Sequence, residues 1–386
     1  MRLLILWVVG LATATLVWPS AHVATAADLT SSGAAALLEP HADNSPGCAP
    51  PRPHAAGSIN QTIVTADGLT RDYILHVPPS YTGADPTALV LNFHGLGSSA
   101  AAQQAYSGMS LTADQPGGGF IVVYPQGINQ RWNNVQAPSP DVDDVAFTDQ
   151  LLASLDSQLC IATERTYSTG MSNGALMSVR LACSLSIRIA AVAPVAGAYY
   201  PPLFRDVYTE EDCPDTRPVP LIAFHGTSDM VIPFNGGPSP AFGGIWFRLP
   251  IDNTTPDEDV ISDWAAHNGC TGGRQEEQVA GQVRLVSYQD CQLGATVELY
   301  AIDGGGHVWP SVVNTNDLIW EFFQAHTLLT VGGSAELPQV ARPRVESSGP
   351  PGTSVGFLSG VVAAAALGTV ALSGAAWYAR RRGSEG

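Results

Sequence analysis

Residues 170–174 read Gly170-Met171-Ser172-Asn173-Gly174, a G-x-S-x-G pentapeptide. A short β-prone stretch, 165–169, precedes it, and a stretch with helical spacing, 175–182, follows it. In this context a serine lies on a sharp strand-to-helix turn and projects its hydroxyl from the C-terminal edge of a parallel sheet. Glycines flank the serine because the turn is too tight for side chains on either side. The pentapeptide therefore predicts Ser172 as a nucleophile.

A serine hydroxyl becomes a nucleophile when a histidine takes its proton and a carboxylate holds that histidine in one tautomer. In this strand-turn-helix context the chain order is serine, acid, histidine. His307 is the preferred base because it follows a predicted strand in the glycine-rich stretch 303–310. Asp229 is the preferred acid because it lies in a turn directly after the apolar stretch 220–224. The downstream alternatives for the base are His225, His267 and His326, and those for the acid lie in a predicted helix at Asp257, Glu258, Asp259 and Asp263.

The developing oxyanion needs two backbone N–H donors. Asn173 follows the nucleophile and supplies the first. The second is expected from the turn His94-Gly95-Leu96-Gly97, which follows an apolar strand and begins a helix. Leu96 is the preferred donor and Gly95 the next, while His94 is expected to hold the shape of the loop. Trp309, Trp132 and His94 are candidate pocket residues, with ordinary packing as the alternative for both tryptophans.

Strands and helices alternate from residue 48 to 329, which predicts one α/β domain with a mainly parallel sheet covered on both faces. Continuous apolar runs indicate buried parallel strands. The predicted strands are 58–65, 71–77, 88–93, 119–124, 165–169, 189–195, 220–224 and 296–301, and the predicted helices are 143–159, 175–182, 257–268 and 316–328.

The two ends of the chain predict export and a membrane anchor. Residues 1–26 have a positive start, an apolar run and an A-x-A site, as in a secretory signal peptide, and 27–47 reads as a flexible lead-in. A Pro/Gly/Ser-rich stalk, 330–354, precedes the uncharged stretch 355–378, which is long enough to span a bilayer. The basic tail 379–386 is expected in the cytoplasm, which leaves the domain outside.

Composition agrees with an extracellular location and argues against nucleic-acid binding. The formal net charge is −17, and an acidic surface disfavours phosphate contacts. Six cysteines in an exported chain predict three disulfides, and 15 connectivities are possible. The preferred pairs are Cys48–Cys213, Cys160–Cys183 and Cys270–Cys291, and the chain has no C-x-x-C motif of a metal or redox site. No metal or organic cofactor is expected.

Six motifs occur in order along residues 48–329: His94-Gly95-Leu96-Gly97, Tyr124-Pro125-Gln126-Gly127, Val142-Asp143-Asp144-Val145-Ala146-Phe147, Gly170-Met171-Ser172-Asn173-Gly174, His225-Gly226-Thr227-Ser228-Asp229 and Gly305-Gly306-His307-Val308-Trp309-Pro310. In this order they resemble secreted polyhydroxybutyrate-depolymerase-like esterases, a group similar to feruloyl and acetylxylan esterases.

The resemblance implies an α/β-hydrolase with Ser172, Asp229 and His307 as its catalytic triad. It implies a serine esterase acting on polyester, feruloyl or acetyl-sugar esters. We expect a monomer, held at the outer face of the membrane by the C-terminal helix. Two alternatives remain open: a non-catalytic surface-binding protein on a hydrolase shell, and a serine peptidase.

Overall fold

A computed structural model of the protein describes residues 44–133, 142–197, 217–236 and 257–328. The strands in these residues form one sheet of ten. Their bounds are β1 Gly57–Val64, β2 Thr70–Val77, β3 Thr87–Phe93, β4 Ile121–Pro125, β5 Ile161–Met171, β6 Val192–Val195, β7 Leu221–Gly226, β8 Arg274–Ala280, β9 Val283–Tyr288 and β10 Val297–Ile302.

The strand order is β1-β2-β4-β3-β5-β6-β7-β10-β9-β8. The central run from β4 through β3, β5, β6 and β7 to β10 is parallel. Antiparallel pairs flank it on both sides, β1 and β2 at one edge and β9 and β8 at the other. Because β5, β7 and β10 run in the same direction, the loops that follow them meet at one edge of the sheet.

Six helices cover the two faces of the sheet within the described residues: α1 Ala100–Ser107, α2 Met109–Asp114, α3 Asp144–Gln158, α4 Asn173–Ser184, α5 Asp257–His267 and α6 Thr315–Ala325. Apolar side chains of α3, α4 and α5 share one core with Leu89 and Leu91 of β3. Side chains of α1, α2 and α6 share a second core with Val90, on the opposite face of that strand. The mainly parallel sheet flanked by helices is an α/β-hydrolase-like fold, as predicted.

The predicted elements all occur, with shifted ends, but the hairpin of β8 and β9 was not predicted. The β8 sequence Arg-Gln-Glu-Glu-Gln is polar and its first five residues are exposed, so it lacks the alternation that marks a half-buried strand. Its conformation comes from pairing with β9, which in turn pairs with β10.

The disulfides correct part of the predicted pairing. Cys270 is bonded to Cys291, as predicted. Cys48 is bonded to Cys160, so the predicted pairs Cys48–Cys213 and Cys160–Cys183 are both wrong. Cys183 is disulfide-bonded as well, and Cys213 lies outside the described residues. The pairing of Cys160 with Cys183 failed because it favoured cysteines that bracket the strand β5 and the helix α4, whereas the fold brings the start of the domain against the start of β5.

The predicted signal peptide, stalk, transmembrane stretch and basic tail lie outside the described residues. Of the predicted lead-in, 27–47, only residues 44–47 are described. Among the helices that the structure does describe, none combines the length and apolarity needed to cross a bilayer.

Candidate active site

Ser172 occupies the turn between β5 and α4 in a backbone conformation that few non-glycine residues adopt, with φ 56° and ψ −118°. Its N–H donates to Val195 O at 2.9 Å, which fixes the turn against β6. A Cβ at Gly174 would lie 2.2 Å from Phe93 O, and one at Gly170 would lie 2.6 Å from Gly174 O. Side chains are therefore excluded on both sides, and the strained serine lies at the edge of the sheet, as predicted.

Asp229 is the buried hydrogen-bond acceptor of the turn after β7. His307 Nδ1 donates to its Oδ2 at 2.6 Å, so the predicted acid and base are in contact although they are 78 residues apart. The N–H groups of Val231 and Ile232 donate to Oδ1 at 2.7 and 2.9 Å. An aspartate carboxylate only accepts, so His307 carries its proton on Nδ1 and turns a basic Nε2 away from Asp229.

A second histidine, which was predicted only as an alternative base, contacts the same carboxylate oxygen. His225 Nε2 lies 3.0 Å from Asp229 Oδ2 and 3.0 Å from Ile232 O. Both partners are acceptors, so His225 carries its proton on Nε2. Burial raises the pKa of Asp229, but the hydrogen bonds and charges of His225 and His307 outweigh burial and hold this pKa well below its usual range. Asp229 therefore stays ionised wherever His307 could act as a base.

The turn that carries Asp229 and the loop that carries His307 interlock. Ser228 N donates to Gly305 O at 2.8 Å, and Gly304 N donates to Thr227 Oγ1 at 2.9 Å. A Cβ at Gly226 would lie 2.3 Å from Gly305 O, so this approach requires glycine. The contact between Asp229 and His307 thus rests on backbone packing as well as on their own hydrogen bond.

The acid turn also reaches the turn of the nucleophile. A Cβ built on Gly197, which follows β6, would lie 3.3 Å from Ser172 O and 3.6 Å from Ile232 Cδ1. The structure thus brings all three predicted triad residues to one sheet edge. Ser172 Oγ and His307 form no hydrogen bond with each other among the described contacts, and such bonds are often long before substrate binds.

The predicted oxyanion donors lie beside Ser172. Asn173 begins α4, where the N–H groups lie at the positive end of the helix dipole. Gly95 lies beside Ser172, since a Cβ built on Gly95 would be 3.5 Å from Ser172 Cβ. Leu96 is the next residue, and within the described part of the chain its N–H makes no hydrogen bond.

His94 holds the turn that carries Gly95 and Leu96. Its side chain is fully buried, Nδ1 donates to Gly95 O at 2.8 Å, and Nε2 accepts from Gly127 N at 3.0 Å. Burial lowers the pKa of His94 to about 4, against a weaker opposite effect of the bond to Gly95. The lowered pKa favours the neutral form of His94 at neutral pH, and its two hydrogen bonds link the turn to Gly127.

Trp132 connects that turn to the nucleophile helix. Its Nε1 donates to His94 O at 2.9 Å, its N–H donates to Asn173 Oδ1 at 2.7 Å, and Asn173 Nδ2 donates back to Trp132 O at 3.3 Å. Asn133 follows, and its N–H donates to Asp144 Oδ2 at 2.7 Å. Asp144 in turn forms a buried ion pair with Arg71 at 2.6 Å. Asp144 belongs to the motif 142–147, and its pairing with Arg71 was not predicted.

Trp309 anchors the loop that carries His307. Its N–H donates to Tyr106 Oη at 3.1 Å and its Nε1 donates to Asn316 Oδ1 at 3.0 Å. Asn316 Nδ2 donates to Ser107 O at 2.8 Å, which ties the loop to the end of α1. Trp309, Trp132 and His94 are 9, 3 and 0% exposed, so packing is the contact that the structure gives them. A contact of any of the three with substrate remains a prediction.

Within the described ranges, no three His, Cys, Asp or Glu side chains converge in a way that could bind a metal ion. The site combines a serine on a strained turn, an imidazole fixed by a carboxylate, and backbone N–H groups beside the serine, which are the groups that a covalent hydrolase uses.

No family model matches the chain. Individual relatives in sequence nevertheless show the family to which it belongs. Feruloyl esterase B of Piromyces equi is 31% identical over 264 residues, which are 67% of this chain but only 46% of that protein. The putative esterase NocK of Nocardia uniformis subsp. tsuyamanensis is 30% identical over 277 residues, covering 67% of this chain and 76% of that protein.

A solved structure supports the fold. The acetyl xylan esterase from Aspergillus awamori superposes with a TM-score of 0.50 at 16% identity, covering 69% of this chain and 99% of that one. At this identity the likeness concerns the fold, while the two sequence relatives carry the family. The chain therefore belongs to the feruloyl esterase-like α/β-hydrolases, a family of carboxylic ester hydrolases.

Proposed function

We propose that this protein hydrolyses carboxylic esters through an acyl-enzyme on Ser172, with His307 as general base and acid and Asp229 as the residue that orients His307. The observation that carries the proposal is the 2.6 Å bond from His307 Nδ1 to the buried Oδ2 of Asp229. This bond leaves Nε2 as the basic atom at the sheet edge where Ser172 lies on its strained turn.

In the acylation step Ser172 Oγ attacks the ester carbonyl carbon and its proton passes to His307 Nε2. The ester C–O bond breaks, and the alcohol leaves with that proton. Water then gives a proton to Nε2, attacks the acyl carbon and releases the acid, which restores Ser172. Asp229 stays ionised and stabilises the imidazolium in both steps.

The N–H groups of Asn173 and Leu96 are the proposed oxyanion donors, with Gly95 as the alternative to Leu96. The support is their position beside Ser172, one at the start of α4 and one in the turn held by His94. A single donor of this kind contributes about 10²–10³-fold to turnover. The bonds between Asn173 and Trp132 keep the two loops in register.

Esters of plant cell-wall sugars, with feruloyl or acetyl groups, are the proposed substrates, and polyhydroxybutyrate-type esters are the alternative. The names of the related proteins support the first class. Two large apolar side chains next to the proposed site, Leu96 and Val308, are 40 and 45% exposed and suit an apolar acyl group. A panel of feruloyl, acetyl-xylan and 3-hydroxybutyrate esters decides between them by kcat/KM.

We propose further that the enzyme is exported and tethered to the outer face of the membrane by residues 355–378, as a monomer. The uncharged stretch followed by three arginines supports the tether. The disulfides Cys48–Cys160 and Cys270–Cys291 support an oxidising compartment. Fractionation tests the tether: the uncleaved full chain should sediment with membranes, and its recovery wholly in the culture supernatant would exclude a tether.

Single and double substitutions test the triad. Ser172→Ala and His307→Ala should each lower turnover by about 10⁴–10⁶-fold, and the double variant should be little worse, because the base has nothing to activate without the nucleophile. Asp229→Asn should be severe as well, since the amide favours the wrong tautomer of His307.

Asp263→Asn is the matched control for the acid, because Asp263 lies on α5. It should keep nearly full turnover. All variants should keep the circular-dichroism spectrum of the wild type. Normal ester turnover by folded Ser172→Ala would exclude the mechanism. A complete lack of turnover in the wild type across the panel and p-nitrophenyl acetate would favour a non-catalytic surface protein.

A further inference from the structure

A second chain of serine, histidine and aspartate lies outside the proposed active site. Ser58 Oγ is 2.8 Å from His76 Nδ1, and His76 Nε2 is 2.9 Å from Asp114 Oδ1. Gln104 Nε2 donates to Ser58 Oγ at 2.7 Å.

The partners fix the proton positions in this chain. The Asp114 carboxylate only accepts, so His76 carries its proton on Nε2. Nδ1 of His76 then carries a lone pair, and the Ser58 hydroxyl donates its hydrogen bond to Nδ1. This is the hydrogen-bond logic by which a histidine activates a serine, with the two ring nitrogens exchanged relative to His307.

The exposure of Ser58 and the burial of His76 together favour a reactive serine at this position. Ser58 is exposed, whereas the side chain of His76 on β2 is only 5% exposed. The ring is therefore held in place, and the serine that it contacts is open to solvent. The side chain of Asp114 is 35% exposed at the end of α2.

The hydrogen-bonded residues Ser58, His76 and Asp114 are distinct from the site at Ser172. Ser58 and His76 face each other across the antiparallel pair of β1 and β2. His76 is also paired with Val122, at the start of β4. The Ser172 site lies at the C-terminal ends of the parallel strands, whereas His76 lies beside the N-terminal end of β4. The two sites therefore lie at opposite ends of the parallel strands.

We propose that Ser58 is a second acyl-accepting serine, activated by His76 and Asp114 and reactive toward small activated esters. In the step, Ser58 Oγ bonds to the acyl carbon and gives its proton to His76 Nδ1. The ester C–O bond breaks, and the proton leaves with the departing alcohol or phenol. Gln104 Nε2, which donates to Ser58 Oγ, holds the hydroxyl in place beside His76.

The expected rate follows from the groups present. A positioned general base contributes about 10²–10⁴-fold. Each oxyanion donor contributes about 10²–10³-fold, and the described contacts of Ser58 include no such donor, whereas two backbone donors are proposed for the Ser172 site. Ser58 should therefore be acylated much more slowly than Ser172, but about 10²-fold or more faster than an exposed serine without a histidine partner.

The test uses the full chain with Ser172→Ala, treated with p-nitrophenyl acetate, quenched in acid and mapped by mass spectrometry of peptides. The expected result is an acetyl adduct on Ser58. His76→Gln should slow its formation by about 10²-fold or more, and Asp114→Asn by about tenfold. Ser157, an exposed serine whose hydroxyl donates to Ser154 O, is the matched comparison within the same digest.

Labelling of Ser58 no faster than Ser157 would overturn the proposal. Unchanged labelling in Asp114→Asn and His76→Gln would overturn it too, because the hydroxyl would then react without the base. If His76→Gln does not fold, the partly exposed Asp114 still gives a variant that separates the outcomes. The Ser172→Ala background makes the result independent of the mechanism proposed for Ser172.

Discussion

The ion pair of Arg71 and Asp144 gives a stability prediction that the structure makes quantitative. Both side chains are at most 2% exposed and the atoms are 2.6 Å apart. The Arg71 guanidinium also lies 3.8 Å from the centre of the Phe147 ring. Removing one partner leaves a buried charge without compensation, which costs about 3–5 kcal/mol. Asp144→Leu and Arg71→Met should each lower the free energy of unfolding by this amount.

The double variant should be more stable than either single variant. Burial raises the pKa of Asp144 although Arg71 stands beside it, so desolvation outweighs the attraction between the charges. Arg71 Nε is also buried without a hydrogen-bond partner within the described residues. Replacing both charged residues removes no partner from a remaining charge, but it removes the acceptor of Asn133 N–H. This loss costs about 1–3 kcal/mol.

Urea denaturation followed by circular dichroism measures the free energy of unfolding of the four proteins. The control is Asp149→Leu, which breaks a surface ion pair with Arg188 at 3.2 Å where the aspartate is 50% exposed. It should cost less than about 1 kcal/mol. Single variants at Arg71 and Asp144 that cost no more than this control, or a double variant that costs the sum of the singles, would refute the reasoning.

Three further predictions concern the stability of the fold and the loop of the base. Replacing both Cys48 and Cys160 by serine opens a loop with a sequence separation of 112 and should cost about 4–5 kcal/mol on the chain-entropy model; a midpoint in urea unchanged from the wild type would contradict it. Tyr106→Phe removes the acceptor of Trp309 N–H, but Tyr106 is half exposed and water can replace its hydroxyl. We therefore expect a loss in kcat/KM of no more than about fivefold, and a hundredfold loss would assign Tyr106 a direct role. The folded pKa of Asp229 is depressed, so its contribution to stability is complete above its unfolded pKa of about 3.9 and is lost as pH falls through the folded value. The destabilisation by Asp229→Asn should thus be full at pH 7 and shrink below about pH 4, and a difference that grows in acid would show the opposite shift.

Buried strands were predicted best because their signal lies in consecutive residues. Strand β3 was predicted at 88–93 and runs over Thr87–Phe93, and β10 was predicted at 296–301 and runs over Val297–Ile302. Their apolar runs are the direct result of burial on both faces of a parallel sheet. The polar strand β8 has no such signal, because it lies at an edge and its pairing with β9 supplies its conformation.

The same contrast holds in the candidate site. Ser172, Asp229 and His307 could be predicted because each follows a predicted strand, and loops after parallel strands meet at one edge. Their catalytic roles remain predictions. The second bond of Asp229, from His225, could not be read from the sequence, because it depends on where a buried side chain points at the end of β7. Asp144 and Arg71 are likewise 73 residues apart, and only packing brings them together.

The sequence by itself determined the strand-turn-helix at Ser172 and the Cys270–Cys291 disulfide. These features rest on local backbone chemistry and on short separations, where few arrangements of the chain are possible. Tertiary structure alone decided the Cys48–Cys160 disulfide, the two histidines on one oxygen of Asp229, and the contact of Ser58, His76 and Asp114. Each of these joins distant segments through side-chain directions, and those directions are set by how the sheet and helices pack rather than by the neighbouring residues.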